Sequence, residues 1–371
     1  MHGAHEPMAF RNRLFRFLVE QLGFTGIAIE VGFTDSSSVD SFVGGGPGEA
    51  QSVLPSGLGS YAENRELIQW MRDHNAAAAA AGHRRIRYYG ADLARGGGIG
   101  GPRLALDYAL AYLSRADAAE AERIRSSLGD TLPPADDREF GMLPQPALAE
   151  LDGTIPKIAK AMAQNRRGLI AHSSVEEYRW ALRNLEVARE LSRCFHVTTP
   201  KSFKDIRYSA PVMNCRDRAM ADNVQWIVGN EGPNGRVLVF AHNGHVMNGK
   251  EESRRMAQVR DKPFMMGFHL RHAFGKHLLI IAMSSPTTSA GLPTPHPAED
   301  GIDDALARVG LPRLFLDLRM ARQDPAALAW LSRQHPLFGE TNSLITPSTA
   351  VDAFFFVNRL TPAMESSSDA P

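Results

Sequence analysis

The chain has 371 residues, 43% of them hydrophobic, enough to bury a large core and, by length, about two domains or subdomains. Lys plus Arg and Asp plus Glu both total 41, so the net charge is zero and no global electrostatic case exists for nucleic acid or an anionic membrane. The apolar stretches fall short of the ~20 residues of a membrane span, the N-terminus has no apolar signal region, and two cysteines, Cys194 and Cys215, argue against a disulfide scaffold and fit a reducing compartment. A soluble cytoplasmic protein is therefore expected.

In chain order, residues 7–22 place Phe10, Leu14, Phe17, Leu18 and Leu22 at helical spacing, with Pro7 suited to a first turn and Gly23 as a stop. Thr25 to Val31 reads as a strand with Glu30 near its carboxyl end. Residues 44–60, rich in Gly, Pro and Ser, read as a loop; 61–82 reads as a helix and Ile86 to Tyr89 as a short strand. Gly96 to Gly101 is a second glycine-rich break, after which residues 103 to 195 are almost wholly helical by pattern, interrupted near Pro133-Pro134. A helix over 211–230 leads into a strand at 236–241, followed by strands at 277–283, Leu314–Leu318 and Ala353–Val357. The polar tail from Glu365 reads as disordered.

Alternating strands and helices predict an α/β fold, a mostly parallel β-sheet flanked by helices, with a helical insertion or cap subdomain. The expected divisions are 1–102 and 196–362 for the α/β core, 103–195 for the helical insertion and 363–371 for the tail.

The chemistry centres on Val237 to His245. Five apolar residues end in Ala241-His242-Asn243-Gly244-His245. In open α/β sheets ligands sit beyond the carboxyl ends of parallel strands, so both histidines fall where chemistry occurs. A lone histidine there is more often structural. A pair three apart can serve as an acid/base device or ligate a metal. Asn243 offers an amide, and Gly244 permits close backbone approach. His2, His5 and Glu6 sit at the start of a helix, where the dipole favours a carboxylate and free N–H groups can hold an anion. Arg11 lies on the same helix and can hold a developing negative charge. Glu30, at a strand end, requires a partner if buried, Arg11 or a histidine being expected. Other signals are weaker. Neither triple-glycine run carries the Lys-Ser/Thr of a phosphate loop, no Gly-x-Ser-x-Gly elbow occurs, and His269 and His272 read as structural.

Taken together, these residues resemble the erythromycin esterase family. His2-Gly3-Ala4-His5-Glu6, Arg11 and Ala28-Ile29-Glu30 follow the order of that family's Gly-Glu-x-x-His-Gly-x-x-Glu segment, arginine-bearing helix and glutamate-ending strand. Glu63 with Trp70, Arg72 and Asn75 resembles its Glu…Trp-x-Arg-x-x-Asn helix, Gly90-Ala91-Asp92 its Gly-x-Asp strand end, and Arg216-Asp217 with Asn223 and Trp226 the helix before its Ala-His-Asn-x-His strand end. Met266-Gly267 and Val351-Asp352-Ala353-Phe354 fit later elements, so the resemblance spans roughly 2–362.

The resemblance implies an esterase that opens a macrolide lactone without a metal or other cofactor, and hence a role in macrolide resistance. It implies His2 as general base, with Glu30, His242 and His245 shaping and polarising the site and Arg11 steadying negative charge. His5, Glu6 and Asn243 are the expected substrate contacts. A small-molecule ester is the expected partner. The family's Gly-Glu would lie upstream of His2, which implies that Met1 is an internal methionine and that the reading frame continues upstream. Three other readings stay open: a hydrolase of this fold acting on another ester, a metal-dependent one ligated by His2, His5, Glu30, His242 and His245, and a non-catalytic accessory protein.

Overall fold

A computed structural model describes residues 2–55, 58–93, 102–128, 144–292, 300–337 and 343–363. The glycine-rich break at Gly96 to Gly101, the interruption at Pro133-Pro134 and the tail from Glu365 lie outside the described residues. The chain forms two compact units: Met1–Glu30, Ser36–Ala91 and Met220–Pro371 make one, and Val31–Asp35 with Asp92–Ala219 the other.

The first unit holds the sheets. β1 (Gly26–Gly32), β2 (Arg87–Asp92) and β3 (Val237–Phe240) form a three-stranded sheet in the order β2-β1-β3. β1 is buried at every position but Glu30, and a run apolar on both faces suits a central strand covered on both sides. It pairs parallel with β3, from Gly26 opposite Val237 to Ile29 opposite Phe240. A second sheet comprises β4 (Ile281–Ser284), β5 (Arg313–Asp317) and β8 (Ala353–Val357), in the order β4-β8-β5. Its β4–β8 ladder is parallel and its β5–β8 ladder antiparallel. β6 (His335–Leu337) and β7 (Ser343–Ile345) form a small antiparallel pair. The architecture is thus the expected α/β one, with antiparallel pairs that hydrophobic pattern alone does not distinguish.

Among the described residues a side chain joins the two sheets where no backbone ladder does. The Asn243 amide, just past β3, donates to Met283 O at 2.7 Å and accepts from Met283 N at 3.1 Å. It thereby mimics a strand peptide against β4. The core beneath the second sheet gathers Ile280, Ala282, Leu318, Leu337, Phe354 and Phe356.

The N-terminal helix runs His5–Leu22 and stops at Gly23, whose φ of 66° suits a residue without Cβ. Phe24 N bonds Leu18 O and Gly23 N bonds Val19 O, so the left-handed glycine lets the chain fold back onto carbonyls of the last turn. The loop expected at 44–60 contains one helical turn, Ala50–Val53. The strand expected at 277–283 begins later, at Ile281. Gly275 ends the preceding helix, and side chains then satisfy the backbone: Arg271 bonds the Gly275 and Leu278 carbonyls and Asp352 accepts from Ile280 N.

The second unit is helical. Arg103–Leu113, Ala118–Leu128, Gln145–Gln164, Arg166–Ala171 and Val175–Val197 follow one another, with the start of Ala210–Glu231. Leu106, Leu110, Leu151, Ile158, Ala181 and Leu185 lie buried in it. Contrary to expectation, Cys194 and Cys215 form a disulfide, with Cα atoms 5.5 Å apart. Cys194 lies on Val175–Val197 and Cys215 on Ala210–Glu231, and a separation of 21 residues does not reveal that the two meet. Among the described residues no helix is long and apolar enough to cross a membrane.

Candidate active site

Parallel pairing of β1 with β3 places their carboxyl ends side by side, and Ile29 opposite Phe240 sets Glu30 against the turn that begins at His242. Glu30 Oε2 accepts from His242 N at 2.8 Å. Glu30 Oε1 stands 3.3 Å from His245 Nε2 and 4.0 Å from His2 Nε2. The Glu30 and His245 side chains are only 14% and 15% exposed, whereas His2 is 67% exposed. The His2 and His242 rings stack, with centroids 5.1 Å apart and planes inclined by 14°. His242 Nδ1 accepts from Gly244 N at 3.1 Å, so the neutral ring carries its proton on Nε2. The geometry thus gathers His2, Glu30, His242 and His245 around one carboxylate. A Cβ at residue 244 would stand 3.1 Å from His242 Nδ1, so glycine there lets the histidine ring lie against the backbone.

The first helical turn is held from the far end of the chain. His5 N bonds Thr361 O, Ala363 N bonds Gly3 O, and Ala4 bridges to Pro362. Glu6 accepts from Thr361 N at 2.8 Å and from Thr361 Oγ1 at 2.7 Å. Ala4 is buried with Val357 and Leu360. Both Glu6 oxygens therefore serve an anchor, as does the Asn243 amide. His5 Nδ1 lies 2.5 Å from Oε1 of Glu63, which is 1% exposed.

Arg11 is drawn away from Glu30. It donates to Asn12 Oδ1 (3.0 and 2.8 Å), to Asn64 Oδ1 (2.9 Å) and to the Glu63 carbonyl, and it lies over the Phe240 ring at 4.9 Å. Burial lowers its guanidinium to about 10, against the opposing pull of Tyr88 and Glu63. The same burial pushes the Tyr88 phenol up to about 12, with Arg11 opposing. Arg11 thus backs the last residue of β3 and the start of the Glu63 helix. Among the described residues no group of three or more His, Cys, Asp or Glu is disposed to hold a metal ion.

Sequence reasoning did not place Glu63 or Thr361 in this neighbourhood. Glu63 opens the helix Ala62–Ala80, where a first-turn acid has a ready explanation in the helix dipole. Its place in the Glu…Trp-x-Arg-x-x-Asn stretch is the one signal that marks it. Thr361 carries no signal.

Comparison with known proteins adds a second line. The family model described as erythromycin esterase matches residues 19–360. Erythromycin esterase type II of Escherichia coli is 24% identical over 254 residues, which cover 66% of this chain and 58% of that protein. The match therefore spans less than two thirds of that relative's length. Among solved structures, a Bacillus cereus protein superposes with a TM-score of 0.77 at 21% identity, covering 99% of this chain and 88% of that one. A succinoglycan biosynthesis protein gives 0.77 at 17% identity, with coverages of 98% and 86%. A mutant of the erythromycin esterase EreC in its open conformation gives 0.70 at 16%, with coverages of 100% and 90%. At these identities the structural likeness speaks for the fold, while the family match extends over most of the length. The chain belongs to the erythromycin esterase family.

Proposed function

We propose that this protein hydrolyses a carboxylic ester with a water activated by His2, and that its substrate is a macrolide lactone. The observation that carries the reading is the Glu30 carboxylate, which holds His242 N and His245 and faces the solvent-open His2. In this reading water attacks the ester carbonyl while its proton passes to the His2 imidazole. The ester C–O bond then breaks, and the imidazolium returns the proton to the leaving alkoxide. A positioned histidine base contributes ~10²–10⁴-fold. Glu30 stabilises the imidazolium, and the Nε2 proton of His242 sits on the ring stacked against the base, where it can meet the developing oxyanion.

Arg11, Glu6 and Asn243 act as positioning residues in this scheme, because their polar atoms already hold protein groups. His5, partly exposed and paired with Glu63, is the first-turn side chain best disposed to meet substrate. No step calls on a metal. A product acid without the closed lactone would make the activity a route to macrolide resistance.

The test is mass spectrometry of erythromycin incubated with the purified protein, with and without EDTA. The expected result is gain of one water that EDTA does not suppress and that His2→Ala abolishes. Hydrolysis lost to EDTA would overturn the metal-free scheme. An intact macrolide beside a hydrolysed panel of simpler esters would overturn the substrate, and no turnover of any ester would overturn the activity.

A further inference from the structure

Among the described residues β5 is an edge strand, in the order β4-β8-β5. Its sequence is Arg313-Leu314-Phe315-Leu316-Asp317. Leu314 and Leu316 pack against the core of the second sheet. Strand alternation then puts Arg313, Phe315 and Asp317 together on the opposite face. Phe315 is 53% exposed, and Leu311 and Met320 beyond the two ends of the strand are 51% and 64% exposed.

The backbone bonds show which groups face outward. Asn358 N bonds Pro312 O and Leu318 N bonds Asp352 O. Residues 312 and 318 thus belong to the hydrogen-bonded pairs of the β5–β8 ladder, and by alternation so do 314 and 316. The N–H and C=O groups of Arg313 and Phe315 therefore point away from β8, along the open edge. Edges are ordinarily blunted by lysine, proline, a bulge or an inward charge. The middle of β5 has none of these and carries a phenylalanine instead.

The strand is symmetric in shape about Phe315 and opposite in charge at its two ends: a base, Leu, Phe, Leu and an acid. We propose that β5 is a homodimer interface, pairing antiparallel with β5 of a second copy about a two-fold axis at Phe315. In that register Phe315 exchanges both backbone bonds with the partner's Phe315, because outward-facing groups form the hydrogen-bonded pairs. Arg313 lies opposite the partner's Asp317, on the face that carries both phenylalanines. Cross-strand aromatic and opposite-charge pairs are favourable at such positions. Among the described residues Arg313 has no ion-pair partner within its own chain, whereas Asp317 is held in place by Arg319. A two-fold axis makes the contact close on itself, giving a dimer rather than a fibre. The charge complementarity selects a second copy as the occupant.

Sedimentation equilibrium of the full chain tests this, together with Phe315→Lys and Arg313→Asp. The expected result is a reversible dimer whose dissociation constant rises on the order of 100-fold in Phe315→Lys, which sets two like charges face to face. Arg313→Asp weakens it through the lost pair with Asp317. Unchanged circular dichroism keeps a folding defect from imitating dissociation. Phe315→Cys adds the one free thiol among the described residues, and mild oxidation is expected to give a covalent dimer. A wild-type monomer at 100 times the assay concentration would overturn the proposal. So would a dimer indifferent to both charge variants, which would place the contact elsewhere. Because β5 contributes none of the site residues, ester hydrolysis and dimerisation can fail independently.

Discussion

Replacing Glu30 by Gln is the sharpest test of how the site works. Gln keeps an oxygen for His242 N, whose bond is 2.8 Å long, so the backbone turn is expected to hold. What is lost is one negative charge 4.0 Å from His2 Nε2. A unit pair at that distance is worth ~4 kcal/mol at an effective dielectric constant of 20 and ~1 kcal/mol in water. His2 is 67% exposed, so the value lies toward the aqueous limit, at ~1–2 kcal/mol. That energy acts only when His2 carries the proton taken from water, so it enters the transition state and not the ground state. The expected outcome is a fall in kcat of about 10-fold with little change in KM. The amide NH2 also faces His245, which must then accept where it now can donate, and this adds to the loss. Steady-state ester hydrolysis gives kcat and KM, and thermal unfolding guards against a folding defect. A Glu30→Gln enzyme of normal stability and undiminished kcat would refute the electrostatic role of Glu30 and the general-base assignment resting on it.

Gly267→Ala is expected to destabilise the protein by at least ~2 kcal/mol and to depress activity, because the new Cβ would stand 1.9 Å from Val246 O, beside His245. Gly229→Ala, with nothing within 4 Å, is expected to gain ~0.5–1 kcal/mol, and equal melting temperatures for the two variants would contradict the packing account. Reducing the Cys194–Cys215 bridge, which joins positions separated by 21 in sequence, is expected to cost ~3 kcal/mol, read as a lower denaturant midpoint in dithiothreitol and in Cys215→Ser. Alkaline stability has opposing contributions. Tyr88, raised from 10 to about 12, and Tyr89, raised further by burial, stabilise fully below pH 10 and lose that contribution as pH climbs through their folded values. Arg11, lowered from 12.5 to about 10, destabilises below pH 10 and is relieved above it. By pH 11 each tyrosine subtracts ~1.4 kcal/mol and Arg11 returns a similar amount, so a net loss of ~1 kcal/mol is expected between pH 9 and 11. Denaturant midpoints that rise over that interval would refute the assignment.

Much of this was legible in the sequence where one strand carries its own signal. The strand at Ala353–Val357 ends where the apolar run ends, and Gly23 stops its helix as its position implies. Glu30, His242 and His245 could be grouped because parallel strands bring their carboxyl ends together, whatever their distance in sequence. What escaped depends on particular long-range partners. His277 to Leu279 look like strand, but Arg271 and Asp352 take the backbone bonds a ladder would have used. Arg11, expected beside Glu30, is captured by two asparagines and a carbonyl. Glu6 and Asn243 look free for substrate until Thr361 and Met283 are seen holding them. The orientation of β5 and the joining of Cys194 to Cys215 depend on how the chain turns back, which periodicity does not record.

These captured side chains divide the labour within the site. Glu30 stands near the end of the buried β1 and His245 in the helical turn Asn243–Val246 that follows β3, and both side chains are largely buried. His2 is largely exposed and is followed by Gly3, whose φ of 72° gives the backbone a conformation that side-chain-bearing residues rarely adopt. The backbone that follows it is held by Thr361 to Ala363, through the bond to Gly3 O, the bridge at Ala4 and the two bonds to Glu6. A base misplaced by 1 Å loses on the order of 100-fold in rate. With His2 as the proposed base, the segment just past β8 counts as part of the site although it supplies no reacting atom. On the proposed mechanism Glu6, with both oxygens taken by Thr361, serves to keep His2 over Glu30.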